Sequence, residues 1–439
     1  MAKGGTHVSK TYATINPCSM CMPMGSVIAF KGIENSMTLF HGSQGCSTYI
    51  RLYLAHHFRE PVDIGSSALS QEGAVYGGAA NLKQGLRNII QGYTPTIVGV
   101  STTCLAETIG DDVPRIIHEF QREEPAARDI PIIHVSTPSY AGTHEEGYAE
   151  TLKAIVKRLA TRGEPHHKCN LIIGSIVSPA DVRYLKDVLE RWPCDCIVFP
   201  DISETFDAPI VTNLPKIVDG GTPLSEIRDM ANSTASITIG GGVWRADAGA
   251  LLRERFGVPH VALSLPIGIE YTDDFVVAIE GITGRELPRR YERERGRLLD
   301  ALVDAHKIVH GIKAAVYGDT ELALGITKLL SEIGVDPSVV ATGATTSTFA
   351  QRVRALSPGA TVLYGADFTH VHKEITKNNV QIMIGPSTGR QIAQKESIPL
   401  LRVGLPISDR FGAARQTVMG YKGMTWMVDA LANALLDAS

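Results

Sequence analysis

The 439-residue sequence has no apolar run close to the roughly 18 residues that a membrane-spanning helix requires. Its opening residues, MAKGGTHVSK, hold no apolar signal core, so the expected compartment is the cytoplasm. Excess positive charge is missing as well. The 42 lysines and arginines stand against 46 aspartates and glutamates, for a net charge of −4, which argues against nucleic acid or an anionic membrane surface as a partner. Low-complexity segments and strong short-period repeats are absent, which sets aside repeat architectures. Cysteine is scarce, with seven residues, an odd number. In a large chain of a reducing compartment no disulfide framework is expected, which leaves metal binding, catalysis or burial. Four of the seven, Cys18, Cys21, Cys46 and Cys104, fall in the first 104 residues.

What is present in quantity is alternation. Near-continuous apolar runs such as Thr96–Ser101, Ile130–Ser136, Asn170–Gly174, Cys196–Pro200 and Ser236–Ile239 have the pattern of parallel strands covered on both faces. Ala314–Gly318, Thr361–Gly365, Val380–Gly385 and Leu400–Gly404 continue the series. Between them lie amphipathic helical stretches, with Leu152, Ile155, Val156 and Leu159 on one face of the first and Val182, Leu185, Val188 and Leu189 on the next. Repeated βα units predict an α/β fold of doubly wound, mostly parallel sheets with ligand sites beyond the carboxyl ends of the strands. The polar stretch 161–168 and the charged stretch 284–297 divide the chain into three predicted α/β domains, 1–165, 166–288 and 289–439.

Three segments place a cysteine at a turn: Asn16–Gly25 (NPCSMCMPMG), His41–Cys46 (HGSQGC) and Ser101–Asp112 (STTCLAETIGDD). Thiolates are the ligands of iron–sulfur clusters. Cys46 precedes a helix predicted from Ser47 to His57, where free N–H groups and the helix dipole favour a thiolate. Gly42 and Gly45 would let the backbone approach a bulky inorganic core. Cys104 follows a strand end, where doubly wound folds build their sites. Against this stands simple burial, the commonest fate of a free cysteine. Cys18-x-x-Cys21 also has the spacing of a redox pair or half a zinc site. Cys169, Cys194 and Cys196 are expected in the core. His41, His56 and His57 are candidate ligands better explained by hydrogen bonding or packing. Asp111 and Asp112 are expected to cap a helix, Glu107 is a candidate proton carrier beside Cys104, and Gly240–Trp244 (GGGVW) is a structural turn.

Together these segments resemble the nitrogenase component 1 superfamily, in its beta-chain branch. The resemblance spans nearly the whole chain. Its motifs are INP…C-x-P-x-G at Ile15–Gly25, HGSQGC, HFREP at His57–Pro61, AVYGG at Ala74–Gly78, STTC-x-AE-x-IGDD and STPSYAGTH at Ser136–His144. Further on stand PDISE at Pro200–Glu204, LPIGIEYTD at Leu265–Asp273 and GYKG at Gly420–Gly423. The resemblance implies that Cys21, Cys46 and Cys104 bind one half of a P-type [8Fe–7S] cluster. Ser139 matches a serine that approaches one cluster iron, or else caps a turn, and Gly45 lines the same site. Cys18 is then a neighbour and not a ligand. Three thiolates under-fill even a four-iron cubane, so a partner chain must complete the set. The implied partners are an alpha-like catalytic subunit in an α₂β₂ assembly, carrying a catalytic iron–sulfur cofactor, and an ATP-dependent [4Fe–4S] reductase homodimer as electron donor.

Within that superfamily three kinds of chain compete. A dinitrogen-reducing beta chain is disfavoured by the short segment before Cys21 and by DRFGAARQTVMG at Asp409–Gly420, which lacks a histidine-rich run. A cofactor-assembly scaffold is disfavoured by the full set of three cysteines. The best fit is the beta-like subunit of a methylthio-alkane reductase, a compact chain with complete cluster ligands that cleaves carbon–sulfur bonds as part of its complex.

Overall fold

The computed structural model describes residues 6–7, 18–192, 194–213, 215–244 and 246–438. Ile15, Asn16 and Pro17, part of the first motif, lie outside the described residues. The chain forms three parallel sheets flanked by helices. Strand β1 (Thr6–His7) comes first in sequence. The first sheet contains β2 (Ser36–His41), β3 (Ile64–Ser66), β4 (Ile97–Thr102) and β5 (Ile132–Ser136), in the order β3-β2-β4-β5. The second contains β6 (Cys169–Ile173), β7 (Cys196–Phe199), β8 (Ser236–Ile239) and β9 (His260–Leu263), in the order β7-β6-β8-β9. The third contains β10 (Lys313–Tyr317), β11 (Asp336–Thr342), β12 (Thr361–Tyr364), β13 (Ile382–Gly385) and β14 (Leu400–Arg402). Its order is β1-β12-β11-β10-β13-β14. Strand β1 thus joins the third sheet, pairing Thr6 with Leu363, although its position in the sequence falls in the first predicted domain. Cys18 follows it there: its N–H donates to the Ala366 carbonyl at 3.1 Å, and its side chain is buried with Val339, Ala341 and Leu363.

Both faces of the central strands are covered, so β2, β4 and β6 are buried along their whole length. That is the condition under which a strand reads as an apolar run without alternation. The charged stretch after residue 284 leads into the helix Arg289–Val309, which packs Leu298 and Val309 inward and leaves most of its charges, though not Glu294, to solvent. Two motifs of the resemblance meet beside it. Tyr421 of GYKG donates to Asp273 of LPIGIEYTD at 2.6 Å, and Arg295 pairs with the same carboxylate at 2.8 Å. These motifs hold the fold and lie apart from the cysteines. Among the described residues no helix is long and apolar enough to cross a membrane.

The helix Gln44–Phe58 is anchored at its far end by His57, whose Nδ1 accepts from the Ile407 N–H at 2.9 Å. Burial pushes the His57 ring down to about 3 from its ordinary 6.5. The ring is therefore neutral when folded, while the unfolded chain takes up a proton below pH 6.5. Stability from this group is complete above that pH and is lost as pH falls toward about 3. A His57→Asn variant keeps an acceptor for Ile407 and should show a shallower fall of its denaturation midpoint across that window. An unchanged slope would assign the acid sensitivity to other groups.

Candidate metal centre

Each of the three segments singled out in the sequence reaches the same face. Cys21 is the residue that caps the helix Met22–Lys31, with extended backbone and Pro23 in the first turn. It bridges antiparallel to Thr143, just ahead of the helix His144–Leu159. Cys46 lies in the first turn of the helix Gln44–Phe58, which starts three residues earlier than its predicted Ser47. Cys104 opens the short helix Cys104–Ile109, directly after β4. All three are partly buried. Ser139, in the turn after β5, joins two of them: its backbone N–H donates to Cys104 Sγ at 3.2 Å, and its hydroxyl bonds the Cys21 thiol. Burial pushes the Cys21 thiol up, the Ser139 hydrogen bond opposes this, and negative charge at Cys104 and Cys46 pushes it further up. Three sulfurs that repel as anions form a donor set that a cationic centre would stabilise.

The surroundings separate scaffold from site. Gly42 does not serve the approach of an inorganic core. A Cβ there would meet Thr103 Oγ1 at 1.9 Å, so its role is to let the loops carrying Cys46 and Cys104 touch. Gly45 is different, because a Cβ there would find only Ser43 Oγ, at 3.8 Å, and the residue faces open space. His41 is no ligand: Nε2 pairs with Asp111 at 2.9 Å and Nδ1 with Ser67 at 3.0 Å. Asp111 also accepts from the Gly78 N–H at 3.0 Å, and only Asp112 caps the following helix, accepting from Arg115 at 3.1 Å. His56 is exposed and His57 is turned to Ile407. Glu107 accepts a short hydrogen bond from Thr102. The GGGVW segment is a turn, as expected, with the next helix starting only at Ala248.

The cysteine-bearing segments are clamped from behind. His144 Nδ1 accepts from the Met20 N–H at 3.2 Å, and its Nε2 meets Asp319 at 2.8 Å. Glu145 accepts from the Thr320 N–H at 2.8 Å. This buried network ties the segment before Cys21 to the third sheet. Around the cysteines an apolar rim stays exposed: Tyr49, Leu52, Val75, Tyr76 and Tyr140, with Tyr76 84% exposed and Val75 75%. Exposed apolar patches of this kind are where other molecules dock.

The sequence reading missed one grouping. Cys169 and Cys196 are partners across β6 and β7 and form a disulfide, where separate core thiols were expected. The strand register brings them together, and Cys194 lies beside both. The Cys194-x-Cys196 spacing was the available signal, but residues 169 and 194 are neighbours only through the sheet.

A family model described as nitrogenase component 1 type oxidoreductase matches residues 21–436. The chain belongs to this family. It is 36% identical over 437 residues to the nitrogenase molybdenum-iron protein beta chain of Clostridium pasteurianum, covering 98% of this chain and 95% of that one. The vanadium-iron protein beta chain of Trichormus variabilis is 34% identical, with 96% and 94% covered. A solved structure described as "Nitrogenase Cp1 at pH 6.5" aligns with a TM-score of 0.94 at 35% identity, over 98% of this chain and 95% of that chain. A second, "Nitrogenase Cp1 at pH 5", at 15% identity and a TM-score of 0.75, shares the fold. The chain is thus an oxidoreductase subunit of the nitrogenase-like, beta-chain type. One expectation is corrected. Compactness does not set this chain apart from every molybdenum-iron beta chain, because it spans nearly the full length of the Clostridium one.

Proposed function

We propose that this chain is the beta-like subunit of a nitrogenase-like reductase and that Cys21, Cys46 and Cys104 hold its half of a P-type [8Fe–7S] cluster. The observation that carries the reading is the convergence of three cysteines from three separate segments on one face, two of them bonded by Ser139. Among the described residues, only Cys169, Cys194 and Cys196 have sulfurs close enough together for a single ion, so the Cys21 set is the wider one, as donors to several irons are. Three thiolates leave a cluster incomplete, and the exposed apolar rim suits an alpha-like catalytic subunit that supplies the rest. When bound, the cluster would supply electron storage between an ATP-dependent [4Fe–4S] reductase and a catalytic iron–sulfur cofactor on the alpha-like subunit of an α₂β₂ complex. This chain's own contribution is to fix the thiolates, to present Ser139 to two of them, and to leave Gly45 without a side chain where the open face needs room.

For the substrate we infer reductive carbon–sulfur cleavage of methylthio-alkanes, giving methanethiol and a hydrocarbon. A complete cysteine set counts against an assembly scaffold, and identities of 36% and 34% to molybdenum-iron and vanadium-iron beta chains side with neither type. Dinitrogen reduction is the second reading, favoured by the near full-length match to the Clostridium chain. The test is an assay of the reconstituted complex with its donor and ATP, offering small methyl thioethers and dinitrogen in parallel. Methanethiol without ammonia is expected. Ammonia without methanethiol would establish the second reading, and release of a cluster to an acceptor protein without turnover would mark a scaffold.

A further inference from the structure

We propose that Cys169, Cys194 and Cys196 form a separate three-thiolate site for one soft d¹⁰ cation, represented by Zn²⁺, at the edge of the second sheet. Cys169 and Cys196 are partners at the first residues of β6 and the edge strand β7. Cys194 lies two residues before Cys196, in the turn ahead of the strand, and its sulfur comes beside the other two. Its Sγ is 3.6 Å from that of Cys169 and 3.2 Å from that of Cys196, and all three sulfurs lie within 4.8 Å of one another. A tetrahedral zinc with bonds of about 2.3 Å holds its sulfurs about 3.8 Å apart. The two Cys194 distances approach this spacing, and the Cys169 and Cys196 sulfurs part to reach it once reduction breaks their bond, so the arrangement suits one ion. It does not fit a cubane, whose thiolates point outward from separate corners.

The site is accessible, and side chains that could supply a fourth donor stand in the neighbouring segments. A cleft of about 480 Å³, lined by Lys186, Glu190, Asp195 and Val198 among others, opens on Cys194 and Cys196. At its mouth His167 Nε2 stands 3.4 Å from Asp195 Oδ2, and either side chain is of a type that completes a three-cysteine zinc site. The site lies at the amino ends of its strands in the second sheet, whereas Cys104 follows the carboxyl end of β4 in the first. Loading follows reduction. A cellular dithiol gives two electrons to the Cys169–Cys196 disulfide and becomes a disulfide itself, and two protons complete the two thiols. Binding one Zn²⁺ through three thiols then releases three protons. The ion would fasten the edge strand β7 and the turn before it to β6.

The full-length chain, reduced anaerobically with a phosphine and incubated with Zn²⁺, tests this by alkylation of native protein followed by peptide mass spectrometry. Zinc should protect Cys169, Cys194 and Cys196 together, and protection should persist in a Cys46→Ser chain, which separates this site from the Cys21 set. X-ray absorption on that Cys46→Ser chain should count three sulfur neighbours around its zinc. Equal alkylation of the three with and without zinc would overturn the proposal. So would a Cys194→Ser chain that binds zinc as tightly as the parent. Should that variant fail to fold, the protection pattern and the sulfur count still decide.

Discussion

Replacing Cys46 by alanine is expected to remove about four irons per copy of this chain, half of an eight-iron core. Donor-dependent activity of the complex should fall by about 100-fold or more, since even loss of groups that only support metal ligands costs about 10- to 100-fold. The fold should survive. The helix Gln44–Phe58 is held by Ile50, Leu54 and Phe58, all buried, and by the His57–Ile407 hydrogen bond, not by Cys46. The loop before it is held by Gly42 against Thr103 and by Ser67, whose hydroxyl accepts from the Gly42 N–H at 3.1 Å. Iron analysis beside a thermal unfolding curve therefore separates loss of a ligand from loss of structure. Undiminished iron in a folded Cys46→Ala complex would remove Cys46 from the ligand set.

The largest stability effect is expected at Gly25. The helices Met22–Lys31 and His144–Leu159 pack backbone against backbone. A Cβ at Gly25 would stand 1.8 Å from the His144 carbonyl oxygen, and one at Gly147 would stand 2.0 Å from that of Met22. Neither neighbour is a flexible side chain, so Gly25→Ala must push the helices apart. Overpacking of this kind costs about 3 kcal/mol. The same movement would pull Cys21 from Thr143 and Ser139, because Cys21 caps one helix while its bridge partner precedes the other. Gly25→Ala should thus lower the denaturation midpoint and the iron content together. An unchanged midpoint would mean that the helix contact is looser than this packing requires.

Much of this was legible in the sequence, for identifiable reasons. The nine apolar runs read as strands each overlap an observed strand, because strands covered on both faces carry little else. Of the five described strands left unread, β9 is a four-residue, mostly apolar run, and the other four have a different character. Central β2, Ser36–His41, mixes Ser, Thr and His with apolar residues, yet the structure buries all six because it lies between β3 and β4. Strand β11 opens on Asp336-Pro337, a pair that reads as a turn. Strands β1 and β3 have two and three residues and little pattern to read.

The cysteines divide along the same line. Cys21, Cys46 and Cys104 were legible because each stands in a dense local motif. Cys169 and Cys194 were not, because only the register of β6 on β7 makes them neighbours. Ser139 was legible as a turn residue. Its bonds to two cysteines depend on how the turn after β5 folds over the end of β4, which no spacing reveals. Gly42 was read as room for a cluster, when the room it makes is for Thr103.

Whether Cys21, Cys46 and Cys104 hold a shared multi-iron cluster can be read by anomalous diffraction at the iron absorption edge. Crystals would be grown from the complex purified anaerobically with its partner chain. Several iron peaks are expected at the subunit boundary, with the Sγ atoms of Cys21, Cys46 and Cys104 bonded to different irons and the remaining ligands coming from the partner. A single ion at this face, or no iron density beside these three sulfurs, would contradict this expectation.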